Sequence, residues 1–191
     1  SVPNAPVAII TGSSRGIGAA IAQRLNKDGC RVVINYLHSE TAAIQLALEL
    51  SQSGIPAIAC QADVGNRDDR ERLLHTTLNE FGQIDILVNN AGITSQGRQD
   101  LLDATEQSWD RVFDTNLKGP FFLSQLVSRQ MMLQDDSQPN VIVNFAAESH
   151  VDRSIDSASD FINTNILGTI NLLNCSLNYW RSKKSDDFIF V

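Results

Sequence analysis

Short β-branched runs alternate along the chain with longer stretches of helical period. The runs are Val7–Thr11, Arg31–Asn35, Ala57–Gln61, Ile84–Asn89, Asn140–Ala146 and Asp187–Val191, and helical stretches lie between them at 16–28, 40–53, 66–81, 103–134 and 158–181. In the last stretch Ile162, Ile166, Ile170, Leu173, Leu177 and Trp180 form one apolar stripe. Such alternation is the signature of βαβ units and a parallel sheet. It predicts an α/β fold of three layers: a doubly wound, six-stranded, mostly parallel sheet in the order 3-2-1-4-5-6, with ligands at the carboxyl edge where the order reverses. The elements fill 1–191 as a single domain. The polar stretch Gln134–Asn140 reads as a loop, and Gly119-Pro120 should bend or interrupt the long helical stretch before it. One unit recurs in tandem: Val88-Asn89 lines up with Val143-Asn144, Gly92 with Ala147, and Thr115-Asn116-Leu117 with Thr164-Asn165-Ile166.

Composition narrows the class. With 191 residues, 42% hydrophobic and 19% charged, the chain can bury a continuous core, which excludes collagen, coiled coil and disulfide miniprotein. No apolar run approaches the ~18–20 residues of a membrane span, and SVPNAPVAII lacks the basic start of a signal peptide, so a cytoplasmic protein without a membrane partner is expected. A net charge of −7 argues against a field that gathers nucleic acid. Cys30, Cys60 and Cys175 are widely spaced in apolar surroundings and read as buried small hydrophobes. His38 falls in a loop and His75 on a polar helix face, so no metal site is visible.

Strand Val7–Thr11 runs straight into Thr11-Gly12-Ser13-Ser14-Arg15-Gly16-Ile17-Gly18, and a helix with Ile17, Ile21 and Leu25 on one face follows. Strand, glycine loop and helix in this order are what a dinucleotide fingerprint requires. Gly12 permits the tight turn, Gly16 lets backbone N–H groups approach a pyrophosphate, and Gly18 lets the helix pack close on the strand. Gly12, Ser14, Arg15, Gly16, Ile17 and Gly18 are therefore the expected phosphate cradle of a Rossmann domain. The second strand selects the cofactor. NAD sites usually end it in Asp or Glu, which accepts from the ribose 2′-OH and repels a 2′-phosphate. Here it ends Ile34-Asn35-Tyr36-Leu37-His38-Ser39, with the first carboxylate only at Glu40. The expected nicotinamide dinucleotide is NADP(H), with Arg15, Asn35, Tyr36 and Ser39 around the 2′-phosphate.

TGSSRGIG, CQADV around Asp63, NNAG at Asn89–Gly92 and TNLKG around Asn116 together resemble the short-chain dehydrogenase/reductases, most closely the 3-oxoacyl-carrier-protein reductase type, over about residues 1–138. The resemblance implies that Asp63 and Val64 face the adenine, that Asn90, Ala91 and Gly92 line the cofactor, and that Asn116 holds the place of the family's catalytic-relay asparagine. It also implies that the helices at 103–134 and 158–181 correspond to surfaces that dimerise in the family, with a homodimer, a new dimer or a monomer left open by the altered second helix.

The family's serine after the fifth strand and its Tyr-x-x-x-Lys about a dozen residues later are not found where they should be. Ala147 stands at the serine position. A phenol near neutral pH needs a neighbouring cation to give up its proton, and the substrate carbonyl must be held. Tyr179 and Lys183 have the right spacing but fall some 20 residues into the last helical stretch, roughly 30 Å from its start at ~1.5 Å per residue. They read as the end of a helix, with Arg181, Lys183 and Lys184 complementing its dipole. Glu148, Ser149, His150 and Asp152 are loop neighbours rather than three groups converging in space. No catalytic residue is assigned.

VIVNFAAESHVDRSI from Val141, followed by DFINTNILGTINLL, is similar to the fourth-strand unit of dTDP-glucose 4,6-dehydratases, in the extended branch of the superfamily, for about residues 139–191. The two resemblances together account for the tandem repeat and imply an engineered chimera joined near Gln138–Asn140, whose second strand unit competes for the fourth or the fifth place in the sheet. Three functions then stand: an NADP(H)-binding domain without turnover, an active NADPH-dependent carbonyl reductase using an acid such as His150, and a folded scaffold that binds no cofactor.

Overall fold

The computed structural model describes residues 5–95, 101–134, 140–145 and 189–190. Within them the strands β1 (Val7–Ile10), β2 (Arg31–Tyr36), β3 (Ala57–Gln61), β4 (Ile86–Asn89) and β5 (Val141–Asn144) form a parallel sheet in the order 3-2-1-4-5. Every residue of β1 and β2 is buried, because helices cover both faces of the central strands. On one face α1 (Gly16–Lys27) and α2 (Glu40–Ser51) close a core of Ala8, Ile10, Ala22, Val32, Ile34 and Leu46. On the other, α3 (Arg67–Phe81) and α5 (Gly119–Met131) close a core of Ile9, Val33, Leu73, Leu87, Leu123 and Ile142. Alternate residues of one strand thus serve opposite layers, as Ala8 and Ile10 against Val7 and Ile9 demonstrate.

The competition for places in the sheet is resolved by register. β5 lies beside β4 with Val88 opposite Val143 and Asn89 opposite Asn144, so the strands of the two copies sit side by side at equivalent positions. Of the expected run 187–191, Ile189–Phe190 (β6) is described and pairs with Val141 and Ile142. The helical stretch 158–181, Cys175, Tyr179, Lys183, Ala147 and the Glu148–Asp152 cluster lie outside the described residues.

Two sequence expectations are corrected. The helix expected at 103–134 is three pieces: α4 (Glu106–Phe113), a π-helical segment Asp114–Lys118, and α5. Pro120 lacks an N–H and sits in the first turn of α5, where none is needed, and the wider π turn carries the chain into it. Ile17 does not share the packed face of α1; it is 73% exposed, and the buried stripe is Gly18, Ala22 and Asn26, spaced one turn apart.

Cys30 and Cys60 are buried free thiols, and burial pushes both thiols up from their ordinary range. Neither should react with a thiol-modifying reagent at pH 7 in the folded protein, and both should react in urea. Peptide mapping that finds Cys30 or Cys60 labelled without denaturant would contradict this packing.

Candidate functional site

The carboxyl ends of β1, β2, β3 and β4 surround a cleft of about 530 Å³. Its floor is the loop after β1. Gly12 and Gly16 take φ of +61° and +60°, the left-handed region that side chains avoid, and an ideal Cβ on Gly12 would lie 3.0 Å from the Ala91 Cα. The loop is fixed from below by Asn35, 2% exposed, whose Oδ1 accepts from the Gly12 N–H at 3.1 Å and whose Nδ2 donates to the Ala62 carbonyl at 2.9 Å. It is fixed from the side by Thr11, whose hydroxyl oxygen accepts from the N–H groups of Asn90 and Ala91, 2.9 Å each. Asn90 returns the contact by donating Nδ2 to the Thr11 carbonyl at 2.9 Å.

Above this floor α1 begins without a capping side chain and without an acidic residue in its first turn. α3 and α4, by contrast, are capped by Asn66 and Thr105. The first-turn N–H groups of α1 have no intrahelical acceptor, and the positive end of its dipole lies next to Arg15, which lines the cleft. Arg15, the residue at that cap position, is exposed, and its guanidinium has no partner among the described residues.

The predicted residues separate into two groups. Gly12, Ser14, Arg15, Asn35, Tyr36, Ser39, Asp63, Val64, Asn90, Ala91 and Gly92 line the cleft. Gly16, Ile17 and Gly18 belong to the adjoining start of α1 and do not line it. Asn116 does not line it either. Buried in the π segment, it accepts from the Ile93 N–H and donates to the Ile93 carbonyl, both at 2.9 Å, and so fixes the loop after β4. Two residues expected at a 2′-phosphate have their polar atoms engaged within the protein. Asn35 holds the loop, and Tyr36 donates its hydroxyl to Glu40 Oε1 at 3.3 Å. Burial first, and then the Glu40 carboxylate, push the Tyr36 phenol up and keep it protonated.

Sequence reasoning missed Arg111 and Thr115, which also line the cleft. Arg111 Nη1 lies 2.8 Å from Asp63 Oδ2, and a contact across 48 positions leaves no local pattern. Asp63 is further held by its own N–H, which donates to Asp69 Oδ2 at 2.7 Å. Burial acts to raise the Asp69 carboxyl, but this N–H and Arg72 together hold it below its ordinary value.

The short chain dehydrogenase family model matches residues 6–155. The chain is 46% identical over 130 residues to a 3-oxoacyl-(acyl-carrier-protein) reductase of a Synechocystis species, covering 68% of this chain and 52% of that protein. It is 45% identical over 125 residues to versicolorin reductase 1 of Aspergillus parasiticus, covering 65% and 47%. It thus spans about half the length of the curated relatives it matches. Among solved structures, a short chain dehydrogenase from Burkholderia cenocepacia in complex with NADP superposes with a TM-score of 0.73 at 28% identity, covering 96% of this chain and 70% of that one. A 3-oxoacyl-(acyl-carrier-protein) reductase from Brucella melitensis superposes with a TM-score of 0.67 at 34% identity, covering 74% and 56%.

Proposed function

The chain belongs to the short chain dehydrogenase family, and from that premise we propose that its cleft binds NADP(H). The observation that carries the reading is the uncapped start of α1 with the Arg15 cation beside it, which has no partner among the described residues. An anion is what both lack. The residues fit the cofactor: the N–H groups at Gly16, Ile17 and Gly18 would hold the pyrophosphate, with Gly12 and Ser14 beneath it. Arg15 and Ser39 would hold the 2′-phosphate, while Asn35 and Tyr36 keep the loop and the strand end in place. Asp63 and Val64 would face the adenine, and Asn90, Ala91 and Gly92 the rest of the dinucleotide. Asn116 acts through Ile93, whose loop it orders. When bound, the cofactor supplies a hydride donor or acceptor.

The proposal extends to a single domain over 1–191 with the full order 3-2-1-4-5-6, in the cytoplasm, dimerising through 103–134 and 158–181. It assigns binding without turnover, because Ala147 stands where the resemblance calls for serine. It also keeps an engineered joint near Gln138–Asn140. Its support is the repeat, whose two strands face each other in register, although the family model runs past the joint to residue 155.

Titration with NADPH and NADH, followed by nicotinamide fluorescence, tests the reading. Saturable NADPH binding is expected, weakened about tenfold by Arg15→Ala with little change for NADH, since one charge-assisted contact is removed. A folded protein that binds neither nucleotide refutes it.

A further inference from the structure

Among the described residues lining the cleft, Asp63 is the one carboxylate, and the two arginines are Arg15 and Arg111. A carboxylate in a site for a 2′-phosphorylated nucleotide weakens binding of that phosphate unless it is neutralised. Asp63 is neutralised by a residue far along the chain. Arg111, on α4, places Nη1 2.8 Å from Asp63 Oδ2, while Oδ1 accepts from the Gly65 N–H at 2.9 Å. Gly65 leaves the space for this contact. An ideal Cβ there would lie 3.1 Å from Arg111 Nη1 and 3.2 Å from Asp63 Oδ1, although the Gly65 backbone is not left-handed. The pair is half-buried, with side-chain exposures of 36% and 22%, where a charge is screened less than on open surface.

Building on the NADP(H) reading, we propose that Arg111 is a specificity-determining residue: by neutralising Asp63 it keeps the charged side chains of the described lining net positive and so sets the preference for the 2′-phosphorylated cofactor without touching that phosphate. With Arg15, Asp63 and Arg111 charged, these three side chains sum to one positive charge in a chain of net −7. Removing Arg111 leaves them at zero and exposes Asp63 to the ligand. The 2′-phosphate adds close to two negative charges that NADH lacks, so the loss falls mainly on NADPH.

The test measures dissociation constants for NADPH and NADH in the wild type, Arg111→Ala, Asp63→Asn and the double variant at low salt. Arg111→Ala should lower the NADPH-over-NADH preference about tenfold, and the loss should shrink as salt is raised. In the Asp63→Asn background the same change should leave the preference within about twofold, because there is no carboxylate left to neutralise. Arg111→Lys, which keeps the charge, should retain most of the preference, and Arg111→Gln replaces the alanine variant if that one fails to fold. A merely structural Arg111 would weaken both nucleotides alike and leave their ratio unmoved, which overturns the inference. An equal fall of the ratio in the Asp63→Asn background overturns it too. A wild-type protein that binds neither nucleotide overturns the cofactor reading itself, and the inference with it.

Discussion

Gly18→Ala is expected to destabilise the protein by about 2 kcal/mol and to abolish measurable NADPH binding. Helix propensity alone predicts the opposite, since alanine is better than glycine inside a helix by about 1 kcal/mol. Space decides the sign. An ideal Cβ on Gly18 would lie 2.6 Å from Asn90 Nδ2, 2.8 Å from the Gly12 carbonyl oxygen and 2.8 Å from the Ser13 Cα. Two of these three atoms are backbone of the loop that α1 packs against, so neither can swing aside as a flexible side chain would. Relief requires α1 to move away from the loop, because releasing Asn90 from the Thr11 and Gly12 carbonyls, to which it donates at 2.9 and 3.2 Å, clears only one of the three contacts. That shift moves the first-turn N–H groups of α1 relative to the loop below them. Urea unfolding and NADPH titration of the one variant read both effects. A variant as stable as the wild type that still binds NADPH would mean that the strand-to-helix contact is softer than its geometry implies.

The strands and the glycine loop were legible in the sequence because each follows from local pattern. Parallel strands buried on both faces must be continuous apolar runs, and Val7–Ile10 and Arg31–Tyr36 are such runs apart from their ends. Where the structure differs, the cause is nonlocal. Ile17 has the spacing of a core residue of α1 but is 73% exposed, whereas Ile21 and Leu25 do pack against the core beside the buried Gly18, Ala22 and Asn26. The break at Asp114–Lys118 was signalled by Pro120 but displaced toward the N-terminus, because proline is accepted in a first turn and the irregularity falls ahead of it. The π turn itself has no sequence signature comparable to proline's. At the site, the glycines could be assigned because their spacing encodes backbone geometry, whereas Arg111 and Thr11 act through partners that the fold alone brings near. Asn35 was visible as a residue of the cleft, but its brace was not: a polar residue at a strand end reads as a ligand, and only the fold brings its amide to Gly12 and Ala62.

That brace carries the second large effect. Asn35→Ala is expected to cost about 3 kcal/mol and to weaken NADPH binding more than tenfold. It removes the acceptor of the Gly12 N–H and the donor to the carbonyls of Ala62 and Cys60, at 2.9 and 3.3 Å, in a place 2% exposed. Each buried polar group left without a partner costs about 1–3 kcal/mol, and water from the adjoining cleft recovers part of that. Asn35→Asp separates the brace from the donor. Its carboxylate can still accept from Gly12, but it presents a second acceptor to two carbonyls and buries a charge. Burial raises a carboxyl's folded pKa above its unfolded value of about 3.9, so the folded state holds more protons between the two. Stability then falls as pH rises through that window. The deficit relative to the wild type should be smaller at pH 5 than at pH 8, because the protonated carboxyl can again donate to Ala62, whereas the Asn35→Ala deficit should be equal at both. Paired urea titrations at the two pH values give the answer. A pH-independent Asn35→Asp deficit would mean that this side chain reaches water and that the loop is held by its backbone alone.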